Sequence, residues 1–189
     1  MLFISTLARA GTITLDFEAF ADSTSLTNQY VGFLFTNASV WTAGLSLNDL
    51  EFPPHSGTNV AVDAGGPITI GFTSPVLSFS GFFTYSSALT IDAFDSLNQA
   101  VGTTNSAFTS NFVSSGRPAN ELLQVSFAGG ISRVSITGGV SGSSFTLDDA
   151  TVNTPVSGVP EPSSGFMVLA CLLLVGFLGG RNGAYPSDS

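Results

Sequence analysis

Short apolar stretches alternate with turns rich in glycine, serine and asparagine along most of the chain. In the first stretch, TITLDFEAF at residues 12–20, polar residues separate Ile13, Leu15 and Phe17. The later stretches are VGFLFTN, TNVAVDA, PITIGFT, VLSFSGFFTY, ALTIDAFD, LLQVSFAGG, ISRVSITGG and SFTLDDATV. A hydrophobic period of two with regularly spaced turns predicts an all-β fold. We expect a jelly-roll-like β-sandwich of about nine or ten strands, with phenylalanine-rich inner faces packed together.

The strand pattern ends near Val152. The next residues, NTPVSG at 153–158, contain proline, serine and glycine, which is typical of a linker. We therefore predict a β-sandwich domain at residues 11–152 and a linker at residues 153–158. No helix of ordinary length is predicted within the sandwich.

The first ten residues resemble the end of an export signal. Ala8, Arg9 and Ala10 form a small-x-small sequence of the kind that signal peptidase cleaves, and Gly11 follows. The apolar stretch at residues 2–7 is shorter than a full hydrophobic region, and no positive residue precedes it. We interpret residues 1–10 as a signal-peptide remnant; the alternative is an ordinary first strand with a frayed start.

A longer apolar run follows the linker. With its flanking glycines it provides about sixteen uncharged residues, close to the lower limit of about 17 for a membrane-spanning helix. A core helix is the competing interpretation, but it would have a polar face, and this run has none. We predict a transmembrane helix at residues 165–180, with Arg181 as the cytoplasmic stop-transfer residue. The apolar part of this helix consists of Phe166, Met167, Val168, Leu169, Ala170, Cys171, Leu172, Leu173, Leu174, Val175, Gly176, Phe177 and Leu178.

The stretch VPEPSSGFMVLACLLLVGFLGGR, residues 159–181, resembles the C-terminal sorting signal of PEP-CTERM proteins. That signal has the same order: a Val-Pro-Glu-Pro motif, a hydrophobic helix and basic residues. The recognition motif implied by the resemblance is Val159, Pro160, Glu161 and Pro162. The chain departs from the family in its tail, RNGAYPSDS, which lacks a tight arginine cluster. A proline-bearing linker before a plain membrane anchor is the alternative.

The resemblance implies an exported protein of a Gram-negative bacterium. It would be held in the cytoplasmic membrane by its C-terminal helix until an exosortase-type membrane enzyme processes it. The product would then be released or attached at the cell surface, often where exopolysaccharide is made. The physical requirement is met because Pro-Glu-Pro keeps the backbone extended and out of helix and sheet, and therefore accessible to a processing enzyme.

The charge distribution narrows the possible partners. Four basic and thirteen acidic residues give a formal net charge of −9. Nucleic acids and anionic lipids both require clustered basic side chains, so neither is expected as a partner. The balance is compatible with divalent cations and with neutral partners such as extracellular polysaccharide. Cys171 is the single cysteine, which excludes an intrachain disulfide.

The stretches LDFE and FTLDDATV resemble the first and last strands of carbohydrate-binding-module jelly rolls and related PEP-CTERM ectodomains. In some of those, acidic residues on the two strands share a structural calcium ion, which takes six to eight oxygen ligands. The candidate ligands here are Asp16, Glu18, Asp148 and Asp149, with Asp22 nearby. Strand alternation predicts that Asp148 and Asp149 point to opposite faces, so at most one faces a given site. Solvated carboxylates at strand ends are the alternative.

The sequence predicts no catalytic centre. His55, the single histidine, lies in FPPHSGTN and is expected to be an ordinary loop residue. A nucleophilic triad needs a base in contact with its nucleophile, and no spacing in the chain predicts one. Asp92 and Asp95 lie three apart on one predicted strand, so they are expected to face opposite sides rather than to form a glycosidase pair.

Trp41, the single tryptophan, can stack on a sugar ring if exposed or fill the sandwich core if buried. The sequence thus favours an exported, non-catalytic surface or extracellular-matrix protein. A carbohydrate-binding module with a structural calcium site is the alternative, and a secreted hydrolase ranks third.

Overall fold

A computed structural model describes residues 11–155. The predicted signal remnant, the sorting motif, the apolar run at residues 166–178 and Arg181 all lie outside the described residues. Within residues 11–155, no helix has both the length and the hydropathy needed to cross a membrane.

The all-β prediction is confirmed for the described chain, which contains ten strands and one short 3₁₀ helix at Val113–Ser115. The strands are β1 Gly11–Leu15, β2 Ser25–Leu26, β3 Phe33–Thr36, β4 Ala38–Thr42, β5 Asn59–Asp63, β6 Ile68–Tyr85, β7 Thr90–Phe94, β8 Ala100–Asn105, β9 Glu121–Thr137 and β10 Phe145–Thr154.

The pairing order is β2-β4-β5-β10-β6-β9-β7-β8, with β1 added beside β10 and β3 beside β6. All of these pairs are antiparallel. The register of β6 against β9 shifts between Gly71 and Val76. Before the shift β6 pairs with β3, and after it with β10, while β9 pairs with β6 on both sides of the shift. The jelly-roll description of the strand order stays a prediction.

Several strand boundaries differ from the predicted ones. PITIGFT and VLSFSGFFTY form one strand, β6, because an irregularity and not a chain reversal separates them. The first strand ends at Leu15 because Phe17 has φ +61°, in the left-handed region. β10 continues to Thr154, two residues past the predicted domain end, and Thr154 pairs with Gly11.

Phenylalanines fill much of the main core, as the sequence predicted. Phe17, Phe79 and Phe83 are at most 1% exposed, and Phe17 packs edge-on against Phe35. Such edge-to-face contacts stabilise beyond area burial alone.

A second, smaller cluster lies on the other face of β5. Val60 and Val62 pack there with Leu47, whereas Ala61 belongs to the main core. Trp41 and Phe52 lie against this second cluster. The segment between β4 and β5, residues 43–58, therefore covers the outer face of these strands and is called the covering loop below.

Candidate functional site

Asp148, in β10, is 1% exposed and lies against the end of the covering loop. Its Oδ2 atom accepts the backbone N–H groups of His55 and Ser56, both at 2.8 Å. Its Oδ1 atom accepts the N–H of Asp149 at 2.7 Å. Because both oxygens have N–H donors, the buried carboxylate holds the loop against the strand.

The neighbouring Asp149 contacts the same loop. Its carboxylate lies 2.7 Å from His55 Nδ1 and accepts the Ser56 hydroxyl at 3.0 Å. The prediction that Asp148 and Asp149 face opposite sides, so that only one reaches a given site, is therefore wrong. The register of β10 shifts after Asp148 and Asp149 has φ +46°, which forms a bulge that re-aims the second side chain.

Glu18 fixes the last residues of the covering loop. Its Oε1 atom accepts the N–H groups of Thr58 at 2.9 Å and Asn59 at 2.7 Å, and Oε2 accepts the Thr58 hydroxyl at 3.1 Å. Gly57 has φ +54° and leaves no room for a side chain beside this carboxylate. Asp16 is exposed and accepts only the N–H of Glu18 among the described groups, at 3.3 Å.

Burial changes the acidity of two carboxyl groups. It raises the pKa of Asp148 from its ordinary value of 3.8 to about 6, against the opposing effect of the N–H donors of Ser56 and His55. Burial also raises the pKa of Asp63, although Ser144 and Phe145 donate to it. Both groups therefore favour the protonated form more than a solvated aspartate does.

The predicted calcium ligands occupy one region, but each described carboxylate oxygen of Glu18 and Asp148 already has an N–H or O–H donor. Among residues 11–155, no group of three or more His, Cys, Asp and Glu side chains is arranged to hold a metal ion. These oxygens fit the anchoring of a loop. The calcium site stays a prediction, and it requires a melting temperature that rises with calcium and falls with EDTA.

His55 lies on a loop, as predicted. Its ring stacks on Phe82 with centroids 3.4 Å apart and an interplanar angle of 6°. Both His55 and Ser56 contact the carboxylate of Asp149, which leaves them side by side rather than paired as base and nucleophile. This geometry anchors the loop and does not form a triad.

Asp92 lies in β7, but Asp95 lies in the turn after it, so the two do not share one strand as predicted. Asp92, in β7, accepts the Thr103 hydroxyl at 2.7 Å. Asp95 follows β7 and accepts the N–H groups of Leu97 and Gln99, both at 2.9 Å, which closes the turn before β8. Each carboxylate thus has a local structural role.

Trp41 is half-buried and forms one wall of a cleft with a volume of about 120 Å³. The position lies between the exposed and buried alternatives that the sequence left open. The cleft is lined by Trp41, Ser46, Leu47, Asn48, Phe52, Val62, Ser143, Phe145 and Thr146. Its wall thus combines three aromatic side chains with amide and hydroxyl groups, and no side chain in it is charged. We call it the Trp41 cleft.

Asp22 lies outside the cleft and fixes the Ser46 side chain in its wall. Its Oδ2 atom accepts the Ser46 hydroxyl at 2.6 Å, and Oδ1 accepts the N–H of Thr42 at 2.8 Å. These hydrogen bonds, that of Ser46 first, lower the pKa of Asp22. Asn48 and Phe52 were not predicted as site residues, because the covering loop has no periodic pattern that would place them beside Trp41.

The chain is similar to solved protein structures in its fold, but not to known proteins in its sequence. No protein-family model matches the chain, and no curated protein matches it. The K2 cleaved adhesin domain of Lys-gingipain is similar over 75% of this chain and 99% of that chain, with a TM-score of 0.52 and 10% identity. The K1 cleaved adhesin domain of Lys-gingipain from Porphyromonas gingivalis W83 has a TM-score of 0.45 over 76% of this chain and 98% of that chain, at 11% identity. A carbohydrate binding module of family 29 has a TM-score of 0.44 over 82% of this chain and 99% of that chain, at 13% identity. At such identities the K2 similarity concerns the β-sandwich fold alone.

Proposed function

We propose that this chain is an exported, non-catalytic glycan-binding protein and that the Trp41 cleft is its binding site. The observation that carries the proposal is the chemistry of the cleft wall. A sugar ring presents C–H groups that stack on an indole face, and its hydroxyls exchange hydrogen bonds with amide and hydroxyl side chains. Trp41, Asn48 and Ser143 offer these groups together.

The cleft is suited to a neutral sugar unit. None of its lining side chains is charged. Asp22 lies behind Ser46, and the buried Asp63 accepts the N–H and hydroxyl of Ser144, next to Ser143.

The hydrolase alternative finds no support in the His55 region, because His55 and Ser56 both contact Asp149 rather than each other. His55, Asp148 and Asp149 do not line the Trp41 cleft. The name of the similar K2 domain, an adhesin domain, is in keeping with a role in binding.

Binding can be tested with the full-length chain on an array of neutral oligosaccharides, followed by calorimetric titration of the best ligand. Trp41→Ala should weaken binding at least about tenfold, since aromatic anchors dominate such sites. Phe94→Ala is the matched control, because Phe94 is also half-buried on a sheet surface but lies outside the cleft. Equal losses in both variants, or no binding by the folded wild type, would refute the proposal.

We further propose that residues 159–181 direct the protein to the cell surface. The order of proline motif, apolar run and arginine supports this, together with the accessibility that Pro160 and Pro162 impose. In cells with an exosortase, the wild type should reach the surface or medium, and alanine at both prolines should leave it in the cytoplasmic membrane. Pro155→Ala, outside the motif, should behave as the wild type; a uniform location of all three proteins would reject the sorting role.

A further inference from the structure

A second cavity of about 350 Å³ lies in the segment between β8 and β9. It is lined by Ala107, Phe108, Thr109, Ser110, Ser115 and Arg117. The guanidinium carbon of Arg117 lies 5.0 Å from the centroid of the Phe108 ring, which orients it by a cation–π contact. One cation and three hydroxyl groups thus surround the cavity.

Arg117 forms no ion pair with the carboxylates of the described residues. Two acidic side chains, Glu51 and Glu121, contact residues 107–117, but they bind groups other than the Arg117 guanidinium. Glu51 accepts the N–H and the hydroxyl of Ser114, both at 2.8 Å. Glu121 accepts the N–H of Ala107 at 2.9 Å and the hydroxyl of Tyr85. The guanidinium group, which carries five N–H donors, therefore remains available for a ligand oxyanion.

The cavity and the Trp41 cleft share supporting residues. Phe52 lines the cleft and stacks on Phe112, with ring centroids 6.1 Å apart and an interplanar angle of 20°. The backbone oxygen of Glu51 accepts the N–H of Val113 at 3.0 Å. The covering loop thus connects the wall of the cleft to the 3₁₀ helix, and Ser115 at the end of that helix lines the cavity.

We propose that this cavity is an acidic-sugar subsite, in which Arg117 binds the carboxylate of a uronic acid unit. Guanidinium binds carboxylate through two parallel charge-assisted hydrogen bonds, and Ser110 and Ser115, which line the same cavity, offer hydroxyl groups to the rest of the ring. The inference rests on the proposed function, since a neutral unit of the same glycan occupies the Trp41 cleft.

The net charge of −9 limits how acidic the glycan can be. A chain of consecutive uronates would be repelled by the protein as a whole, whereas a single carboxylate at Arg117 is favoured locally. The ligand class is therefore a glycan with isolated acidic units among neutral ones. Binding of one acidic unit should weaken as salt rises, because salt screens the contact of a partly exposed pair.

The test compares methyl glucuronide with methyl glucoside, which have the same ring and differ in charge. Each is titrated calorimetrically against the full-length wild type, Arg117→Gln and Arg133→Gln. Arg133 is the matched control because it also lies over an aromatic ring, that of Phe94, but far from this cavity along β9. We expect Arg117→Gln to weaken glucuronide binding about tenfold or more, and Arg133→Gln to change it less than twofold.

Three results would overturn the inference: equal losses in both variants, no preference for glucuronide over glucoside in the wild type, or acetate binding as tightly as glucuronide. Failure of the proposed function has a different signature. Neutral oligosaccharides would then not bind, or Trp41→Ala would leave their binding unchanged, while the effect of Arg117→Gln on glucuronide could still be measured.

Discussion

The polar side chains near the two ends of the covering loop differ in their hydrogen bonding. Near its end, the carboxylates of Asp148 and Glu18 have a donor on every oxygen and fix the backbone. Near its start, the side chains of Asn48 and Ser143 face the Trp41 cleft and make no hydrogen bond to another described residue. Carboxyl groups that already accept hydrogen bonds from the loop indicate a structural role, and neutral side chains without a hydrogen-bond partner among the described residues indicate a ligand site. Substitutions at the two ends should therefore separate stability from binding.

The largest effect on stability is expected at Asp63, which belongs to the same class of buried anchoring carboxylates. It accepts the N–H and hydroxyl of Ser144, both at 2.7 Å, and the N–H of Phe145 at 3.1 Å. Asp63→Ala should lower the free energy of unfolding by about 3 kcal/mol or more, because it leaves buried donors without partners. Urea denaturation measures this. Asp92→Ala, at a partly exposed site with a single hydroxyl partner, should cost about 1 kcal/mol or less; equal costs would show that Asp63 is no anchor.

The second effect is a dependence of stability on pH through Asp148. Its pKa is about 6 in the folded chain, above the ordinary 3.8 that applies when the chain is unfolded. A raised pKa means that the folded state binds the proton more tightly. The resulting stabilisation is fully present below about pH 4 and is lost as the pH rises through 6. The loss is at most about 3 kcal/mol, at 1.36 kcal/mol for each pKa unit.

Urea denaturation of the wild type and Asp148→Asn at pH 4 and pH 7 isolates this contribution. Other titrating groups, including Asp63 and Asp22, are present in both proteins and cancel in the difference. The wild type should lose more stability than the variant between the two pH values. The same loss in both proteins would exclude Asp148 as the titrating group.

A smaller effect on stability is expected at His55, a partly exposed side chain of the covering loop that contacts Phe82 and Asp149. His55→Ala removes both the stacking on Phe82 and the contact with Asp149, and should cost about 1 kcal/mol. His55→Phe keeps a stacking ring and should recover about half of that loss. Thermal denaturation of both variants measures the difference. Identical melting temperatures for both variants would show that the ring contributes nothing.

The smallest effect on stability is expected in the cleft itself. Asn48→Ala should change the free energy of unfolding by less than about 0.5 kcal/mol, since the residue is exposed. It should nevertheless weaken binding of the neutral oligosaccharide about fivefold, the equivalent of one hydrogen bond. Parallel denaturation and titration measure both quantities. A destabilised variant with intact binding would reverse the assignment of the two ends of the loop.

Hydrophobic periodicity predicted the fold class well, because it reports which side chains face the core. Leu15 and Phe17 are buried as that pattern requires, whereas Ile13, at the start of the same stretch, is 42% exposed. Periodicity does not report where the backbone turns without changing polarity. The left-handed conformation of Phe17 ends β1, and that of Asp149 bends β10, although the sequence predicted continuous strands at both places. Conversely, β6 continues through an irregularity where the sequence predicted two strands.

The candidate site was predictable only in part, for a related reason. Trp41 could be named as a candidate because it is the single tryptophan. Its neighbours in the cleft could not, because they come from the covering loop and from the residues around Ser143. His55 and Asp148, 93 positions apart, meet because β10 pairs with β5, and no local pattern encodes that pairing. Residue type indicated the chemistry, whereas topology determined the partners.

The pairing of Gly11 with Thr154 has a mechanical consequence. Tension applied between these two residues would peel β1 from β10 one rung at a time, which takes little force. If the force is applied between Thr154 and the Trp41 cleft, it acts along β10 instead. Around Leu147, β10 pairs with β5 on one side and with β6 on the other. Several rungs must then slide at once. A tethered domain gripping a matrix through that cleft would thus resist dragging far better than stretching between its own two ends.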